Sequence, residues 1–266
     1  MTHPTPAKPA ITHITDADDE RIHEYRALRA RESGEVLWAE GPTVVARLLR
    51  SALHTRSILA TPAAYARMAP PDVMRVFVAE QSVVNAIVGF DLHRGVIAVA
   101  ERPALSSLTD VCMNARRLVV LEGINDAENL GAIARSARGL GADGLILDPT
   151  CADPYYRRSV RVSMGEILHL LIARAPLAAV FEHLRSSAID VWALTPRPDA
   201  TTIGTMVHAG IPRRLALVLG AEGPGLSDGV LSNHANVRIP MAADVDSLNV
   251  GHAIAATLAI VQSSGG

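Results

Sequence analysis

Five short apolar runs, separated by helical patterns, dominate the second half of this chain of 266 residues. The runs occupy residues 117–121, 144–147, 190–194, 215–219 and 236–239. A continuous apolar run of this length is typical of a strand that is covered on both faces, as in a parallel sheet. Helical patterns at 129–140, 176–187 and 248–262 lie between or after the runs. The pattern therefore predicts an α/β fold with an open parallel sheet, which binds ligands beyond the carboxyl ends of its strands.

The first half of the chain shows a second, smaller α/β pattern. Short strands are expected at 36–39, 57–60, 74–79 and 96–100, alternating with short helices. A surface helix at 16–32 precedes them, with acids in its first turn as the helix dipole favours. We therefore expect four segments, which are a disordered tail (1–15), an N-terminal substrate-binding domain (16–102), a linker (103–115) and a larger domain (116–266).

The composition excludes several classes of protein. A net charge of −2 gives no bulk signal for nucleic-acid binding. The two cysteines, Cys112 and Cys151, form no CxxC pair, which argues against a disulfide framework and against a zinc site. The N-terminus lacks the apolar region of a signal peptide, and no run reaches the roughly 18 apolar residues of a membrane span. We expect a cytoplasmic protein that uses no metal.

The helix that follows the first apolar run carries two candidate functional residues. Asn129 is placed to cap this helix, and Arg135 lies six residues further on, near enough to turn back toward the crevice. The alternative is a simple cap with an arginine that faces solvent.

Two later strand ends carry further polar candidates. Thr195 follows the run at 190–194, and the loop Gly220-Ala-Glu222-Gly223-Pro-Gly225 follows the run at 215–219. This loop has the spacing GxxGxG without GK[ST], so it is not a phosphate cradle of the usual kind. Its carboxylate suits a ribose hydroxyl or an amino group better than a phosphate.

The last apolar run leads through Pro240 and a polar loop to Ser247, where we expect the N-cap of the final helix. This helix is apolar nearly all round, which predicts that it is buried. His252 lies just inside it, and a lone histidine there is more often packed or hydrogen-bonded than catalytic.

Three of these segments, in this order, resemble the sequence motifs of the SpoU (TrmH-type) RNA 2′-O-ribose methyltransferases. They are NLGAIAR (129–135), LGAEGPG (219–225) and IPM followed by SLNV (239–241 and 247–250). Residues 153–165 resemble the family's segment after the second strand, and residues 37–99 resemble its RNA-binding domain of the L30e type. The resemblance covers residues 20–262. It departs from the family pattern at Ala127-Glu128, where the family often has Pro-Gly, and at Gly251-His252.

The resemblance implies a fold and a set of site residues that the residue pattern alone could not give. The C-terminal sheet would contain a deep trefoil knot that holds S-adenosylmethionine, and the protein would be a homodimer whose active site uses both chains. The residues that would surround the cofactor are Thr195, Gly220, Glu222, Gly223, Ile239, Met241 and Leu248. The residues that would face the target ribose are Arg135, Asn129, Ser247 and Asn249.

The implied reaction is methylation of a ribose 2′-hydroxyl in structured RNA, with 23S rRNA as the first expectation because the chain has two domains. Transfer RNA is the alternative substrate, and an RNA-binding protein without catalysis is the alternative of a different class. A nicotinamide dehydrogenase is disfavoured because no GxGxxG follows the run at 117–121. Arginine is a poor base, so Arg135 is expected to orient the hydroxyl and a phosphate.

Overall fold

A computed structural model describes residues 10–30, 34–68 and 74–264 of the chain, which divides into two units. The first unit comprises the chain up to Pro103 together with Tyr155–Leu168. The second unit comprises Ala104–Pro154 and His169–Gly266. The chain therefore leaves the second unit once and returns to it.

The first unit contains a five-stranded mixed sheet. Its elements up to Pro103 are β1 (Ala10–His13), α1 (His23–Ala30), β2 (Val36–Glu40), α2 (Pro42–Arg50), β3 (Thr55–Ala60), α3 (Pro62–Arg67), β4 (Arg75–Val78), α4 (Gln81–Val88) and β5 (Val96–Glu101). The strand order is β1-β4-β3-β5-β2. The strands β1, β4 and β3 are parallel, whereas β5 runs antiparallel to both of its neighbours.

The N-terminal segment differs from the expectation of a disordered tail at residues 1–15. Ala10–His13 pairs with β4 along the edge of the sheet, and Ile14 is buried. The two β-branched residues of this short run favour a strand, and pairing satisfies its backbone groups. Residues 1–9 lie outside the described residues. The predicted helix at 16–32 is shorter than expected, because Asp19 caps a 3₁₀ turn ahead of α1.

The remaining elements run from residue 108 to residue 264. They are α5 (Leu108–Cys112), β6 (Arg117–Glu122), α6 (Ala127–Gly139), β7 (Gly144–Leu147), α7 (Arg157–Val162), β8 (Leu171–Arg174), α8 (Leu177–Ser186), β9 (Asp190–Leu194), β10 (Thr201–Thr202), α9 (Ile203–Ala209), β11 (Leu215–Gly220), α10 (Asp228–Asn233), β12 (Ala235–Arg238) and α11 (Val250–Ser264). All of them except α7 belong to the second unit.

The second unit contains the predicted parallel sheet. Its order is β10-β12-β9-β11-β6-β7-β8, and every pair is parallel. All five predicted strands are present, so the α/β fold class with a parallel sheet is confirmed. The sequence pattern missed the short strands β8 and β10. No helix in the described part of the chain is long and apolar enough to cross a membrane.

The segment expected to be a linker, 103–115, is packed into the second unit. Ser107 and Asp110 form a capping box that starts α5. Val111 and Cys112 on this helix are buried in the core beneath the sheet. The prediction of a linker was wrong there because the capping box and two apolar residues build a short helix in its place.

The returning segment Tyr155–Leu168 is held in the first unit by both apolar and charged contacts. Val160 and Ile167 are fully buried. The Arg47 guanidinium donates to the carbonyl of Met164 at 2.7 Å and pairs with the Glu166 carboxylate at 2.8 Å. The packing ties a middle part of the sequence to an otherwise N-terminal unit.

Replacement of Arg47 by alanine tests how strongly this segment is held. We expect Arg47→Ala to lower the free energy of unfolding by about 1–3 kcal/mol, because it leaves one carbonyl and one carboxylate without a charged donor. The measurement is thermal or urea unfolding followed by circular dichroism. Arg50→Ala on the same helix removes an exposed arginine and should change stability by less than about 0.5 kcal/mol. Equal effects of the two changes on the free energy of unfolding would show that Arg47 does not hold this segment.

Candidate functional site

A cavity of about 500 Å³ lies at the carboxyl edge of the parallel sheet in the second unit. Its walls come from the loops that follow β9, β11 and β12 and from the start of α11. The cavity is lined by Leu194, Thr195, Pro196, Leu219, Gly220, Ala221, Glu222, Gly223, Gly225, Leu226, Val237, Ile239, Met241, Ser247, Leu248, Asn249, Val250 and Ala253. All seven residues predicted to surround a cofactor are in this wall.

The glycine-rich loop after β11 depends on a close approach between two parts of its own backbone. A Cβ added at Gly220 would lie 2.2 Å from the carbonyl carbon of Gly225 and 2.4 Å from the nitrogen of Leu226. Gly223 and Gly225 have φ values of +90° and +70°, which other residues rarely adopt. The three glycines are therefore explained by the shape of the loop that forms the cavity wall.

A single side-chain amide connects three elements at the rim of the cavity. The Nδ2 group of Asn249 donates to Oδ1 of Asn129 at 2.9 Å and to Oε1 of Glu222 at 2.8 Å. The Oδ1 atom of Asn249 accepts from the backbone N–H of Gly251 at 2.9 Å. Both amide protons of Asn249 are thus engaged within the protein. The arrangement suits a residue that holds others in place.

Both predicted helix caps differ from the observed ones. The N-cap of α6 is Asp126, whose carboxylate accepts from the N–H of Glu128, and Asn129 is the third residue of the helix. The helix α11 begins at Val250, so Asn249 rather than Ser247 supplies the capping oxygen. In each case a second residue with a good capping side chain lies two or three positions away, and the local sequence does not decide between them.

The remaining residues that the sequence singled out differ in whether they line the cavity. Arg135 is exposed on α6 and is not in the cavity wall. Ser247 is exposed and lines the cavity. Leu248 precedes α11 and is 41% exposed, whereas the sequence pattern had put it inside the helix. His252 is exposed and is not in the cavity wall either.

Two carboxylates that sequence reasoning did not single out hold the loops around the site. The Glu122 carboxylate accepts from the N–H of Ser227 at 2.9 Å, which fixes the far end of the glycine-rich loop. The Asp148 carboxylate, which is 8% exposed, accepts from the N–H groups of Gly123, Thr150 and Cys151. Each carboxylate is the first polar residue after an apolar run of the sequence, and this position is the signal that could have identified both residues.

The charge of Asp148 depends on its hydrogen bonds. Burial alone would raise the pKa of its carboxyl group, but the donors at Thr150, Cys151 and Gly123 together lower that pKa below its usual value. Burial raises the pKa of the neighbouring Cys151 thiol to about 12, so this cysteine is a packed residue rather than a nucleophile. No cluster of metal-ligating side chains occurs among the described residues.

Comparisons with known proteins agree on one family. The model of the SpoU rRNA Methylase family matches residues 116–259. An uncharacterised tRNA/rRNA methyltransferase of Mycobacterium bovis is 38% identical over 258 residues, which cover 92% of this chain and 89% of the relative. The 23S rRNA (guanosine(2553)-2′-O)-methyltransferase of Bacillus subtilis is 22% identical and is matched over 96% of this chain and 100% of its own length.

Solved structures match the fold of the chain to different extents. The AdoMet-bound rRNA methyltransferase from Sinorhizobium meliloti has a TM-score of 0.77 and 24% identity, with coverage of 95% of this chain and 98% of that protein. A structure concerned with 2-OH methylation of C/U34 on tRNA has a TM-score of 0.50 and 25% identity, and it covers only 56% of this chain. The first match thus spans both units, whereas the second leaves nearly half of this chain unmatched.

Replacement of Asp148 by asparagine should destabilise the second unit in a pH-dependent way. A carboxylate whose pKa is lowered by folding contributes stability above its unfolded pKa of about 3.9, and this contribution is lost as the pH falls toward the folded pKa. We expect Asp148→Asn to cost about 1–3 kcal/mol at pH 7. The difference from the unmodified protein should narrow below about pH 4.

The measurement for this prediction is the melting temperature of both proteins between acid and neutral pH. Asp244→Asn, which changes an exposed carboxylate in the loop before α11, is the matched control and should show no difference at either pH. A difference for Asp148→Asn that is the same in acid and at neutral pH would show that the charge of Asp148 is not what matters.

Proposed function

Because the chain belongs to the SpoU rRNA methylase family, we propose that it transfers a methyl group from S-adenosylmethionine to a ribose 2′-hydroxyl of structured RNA. The observation that carries this proposal is the family match over residues 116–259 together with the cavity of about 500 Å³ that the matching loops enclose. Ligand cavities of roughly 300–1,000 Å³ are typical for molecules of this size.

The cavity has the chemical groups that S-adenosylmethionine requires. Leu194, Val237 and Ile239 provide apolar wall for the adenine ring, and the backbone of the loops provides donors and acceptors. One oxygen of Glu222 is engaged by Asn249, and its other oxygen remains for a ribose hydroxyl or the amino group of the methionine part. When bound, the cofactor supplies an electrophilic methyl group on a sulfonium.

The residues of the chain have to orient the 2′-hydroxyl and let its proton leave. We assign Arg135 to the target ribose and its adjacent phosphate, since the planar guanidinium pairs well with phosphate oxygens. The proton of the 2′-hydroxyl would pass to that phosphate or to water, because arginine does not give up its own proton. Ser247 would donate to the ribose, whereas Asn129 and Asn249 would keep the rim in place. Correct orientation is the main contribution of such a site.

Among RNA substrates, 23S rRNA is proposed ahead of tRNA. The Bacillus subtilis relative, which acts on 23S rRNA, aligns over both units, while the structure concerned with tRNA covers 56% of this chain. The first unit, with its domain of residues 16–102, would then bind the RNA. A member of the fold without catalysis is disfavoured because Asn129, Arg135, Glu222, Ser247 and Asn249 are all present.

We also infer a homodimer with a shared active site, a deep trefoil knot in residues 116–266 and a cytoplasmic location, all from the family resemblance. Exposed apolar residues near the cavity support the dimer. Val245 and Leu248 are 43% and 41% exposed, and Ala259 on α11 is exposed as well. The final helix, predicted to be buried, is only partly covered within one chain, because Ala255, Ala256 and Ile260 are half-buried and Ala259 is exposed. A second copy would cover it.

The direct test is transfer of a labelled methyl group from S-adenosylmethionine to unmodified RNA. We expect label in 23S rRNA. A methyl group on the ribose 2′-oxygen should make the product resistant to alkaline cleavage at that nucleotide, and this resistance identifies the position of the methyl group. Label in tRNA alone would support the proposed reaction but show that tRNA, and not 23S rRNA, is the substrate. No label in any RNA, from protein that binds the cofactor, would overturn the proposed activity.

Replacement of Arg135 by alanine tests its role on the ribose side. We expect Arg135→Ala to lower kcat on the order of 10²-fold or more, because the hydroxyl loses its orientation. Cofactor affinity should change little, since Arg135 is not in the cavity wall. Arg138→Ala, three residues further along the same helix, is the matched control and should remain active. A fully active Arg135→Ala variant would show that the assignment is wrong.

A further inference from the structure

We propose that Gly251 is a positioning residue, whose missing side chain lets α11 approach α6 closely enough for Asn249 to reach Asn129 and Glu222. The inference rests on the proposed function, because it concerns the rim of the methyl-transfer site. Gly251 is buried and is the second residue of α11.

The space around Gly251 is too small for a side chain. A Cβ at this position would lie 3.0 Å from the Cβ of Ala132 on α6 and 3.2 Å from Oδ1 of Asn249. Carbon atoms in favourable contact are about 3.5–4.0 Å apart, so one of these neighbours would have to move. Ala132 lies on α6, the helix that carries Asn129, and Asn249 lies at the rim of the cavity.

The backbone conformation of Gly251 does not explain the glycine. Its φ angle is not in the positive region, which holds the glycines at 223 and 225. Glycine is also a poor helix former, and alanine would favour the helix at a position with free space. The close contact with Ala132 and Asn249 is therefore the property that requires glycine here.

The position of Gly251 is coupled directly to the amide network. Its N–H donates to the same Oδ1 atom of Asn249 that an added Cβ would crowd. A shift of a few tenths of an ångström at this atom would move the Nδ2 group as well. That group makes the bonds of 2.9 Å to Asn129 and 2.8 Å to Glu222.

The crowding would also act on α6. Ala132 lies one turn after Asn129 and three residues before Arg135, so a displacement of Ala132 moves the helix that carries both residues. An added methyl group at position 251 would thus disturb the two sides of the network at once.

The experiment compares Gly251→Ala with Gly204→Ala. Gly204 is the second residue of α9, and a Cβ there meets no atom within 4 Å, which makes it a matched control for helix position. We expect Gly251→Ala to lower kcat about tenfold, since a small misplacement of reacting groups is enough for that. Its melting temperature should change little, because the better helix propensity of alanine offsets the cost of the crowding. Its KM for S-adenosylmethionine should change less than kcat. Gly204→Ala should behave as the unmodified protein.

A second change distinguishes positioning from a general loss of structure. Gly251→Ala combined with Ala132→Gly removes the closer of the two contacts, and we expect it to recover most of the lost kcat. A Gly251→Ala protein with unchanged kcat would overturn the proposal. The proposal would also be overturned if Gly251→Ala lowered stability and kcat to the same extent and Ala132→Gly did not restore kcat.

A readout without activity separates this inference from the proposed function. The side-chain NH₂ signals of Asn249 can be followed by nuclear magnetic resonance of the labelled full chain. They should be protected from solvent exchange in the unmodified protein and in Gly204→Ala, and exchange faster in Gly251→Ala. Unchanged protection would reject the role of Gly251. If the unmodified protein shows these protected signals but transfers no methyl group to RNA, the proposed function is rejected and the role of Gly251 in holding Asn249 is not.

Discussion

The parallel pairing of β6, β11, β9 and β12 brings the loops of the candidate site to one edge of the sheet. The strands β6 and β11 are far apart in the sequence, yet their register places Glu122 beside Gly220. The strand β9 lies on the other side of β11, and β12 lies next to β9. The carboxyl ends of β9, β11 and β12 therefore lie at the same edge of the sheet. The cavity lies at this edge, as expected for an open parallel sheet, which binds ligands beyond the carboxyl ends of its strands.

The rim of that cavity is held by the protein itself. Asn249 connects α6, the glycine-rich loop and the start of α11 through one side chain. Glu122 and Asp148 hold two neighbouring loops through backbone N–H groups. A site in which polar groups are fixed before the ligand arrives loses little free energy in ordering them later. The close approaches at Gly220 and Gly251 are part of the same arrangement, because each lets the backbone come nearer to its neighbours than a side chain would permit.

The strands and the cavity wall could be predicted from the sequence, whereas several local details could not. Apolar runs such as Gly144–Leu147 are recognisable as strands because they are short and continuous, as expected for a strand that is covered on both faces. The sequence predicts Ser247 as the N-cap of α11, whereas the helix begins at Val250 and Asn249 supplies the capping oxygen. Both side chains are good caps locally, and tertiary contacts choose between them. The assignment of Tyr155–Leu168 to the first unit depends on partners such as Arg47, which no local pattern reveals. The edge strand β1 was missed because four residues carry too little pattern.

Calorimetric titration with S-adenosylmethionine, on the unmodified chain and on Gly220→Ala, tests the central claim most directly. A Cβ at Gly220 would lie 2.2 Å from the backbone of Gly225, so the loop that walls the cavity could not keep its shape. Gly139→Ala is the control, because a Cβ there meets no atom within 4 Å. Binding to the unmodified chain and to the control, with loss of binding in a folded Gly220→Ala protein, is the predicted result. No binding to the unmodified chain, or equal binding to all three proteins, would contradict the placement of the cofactor in this cavity.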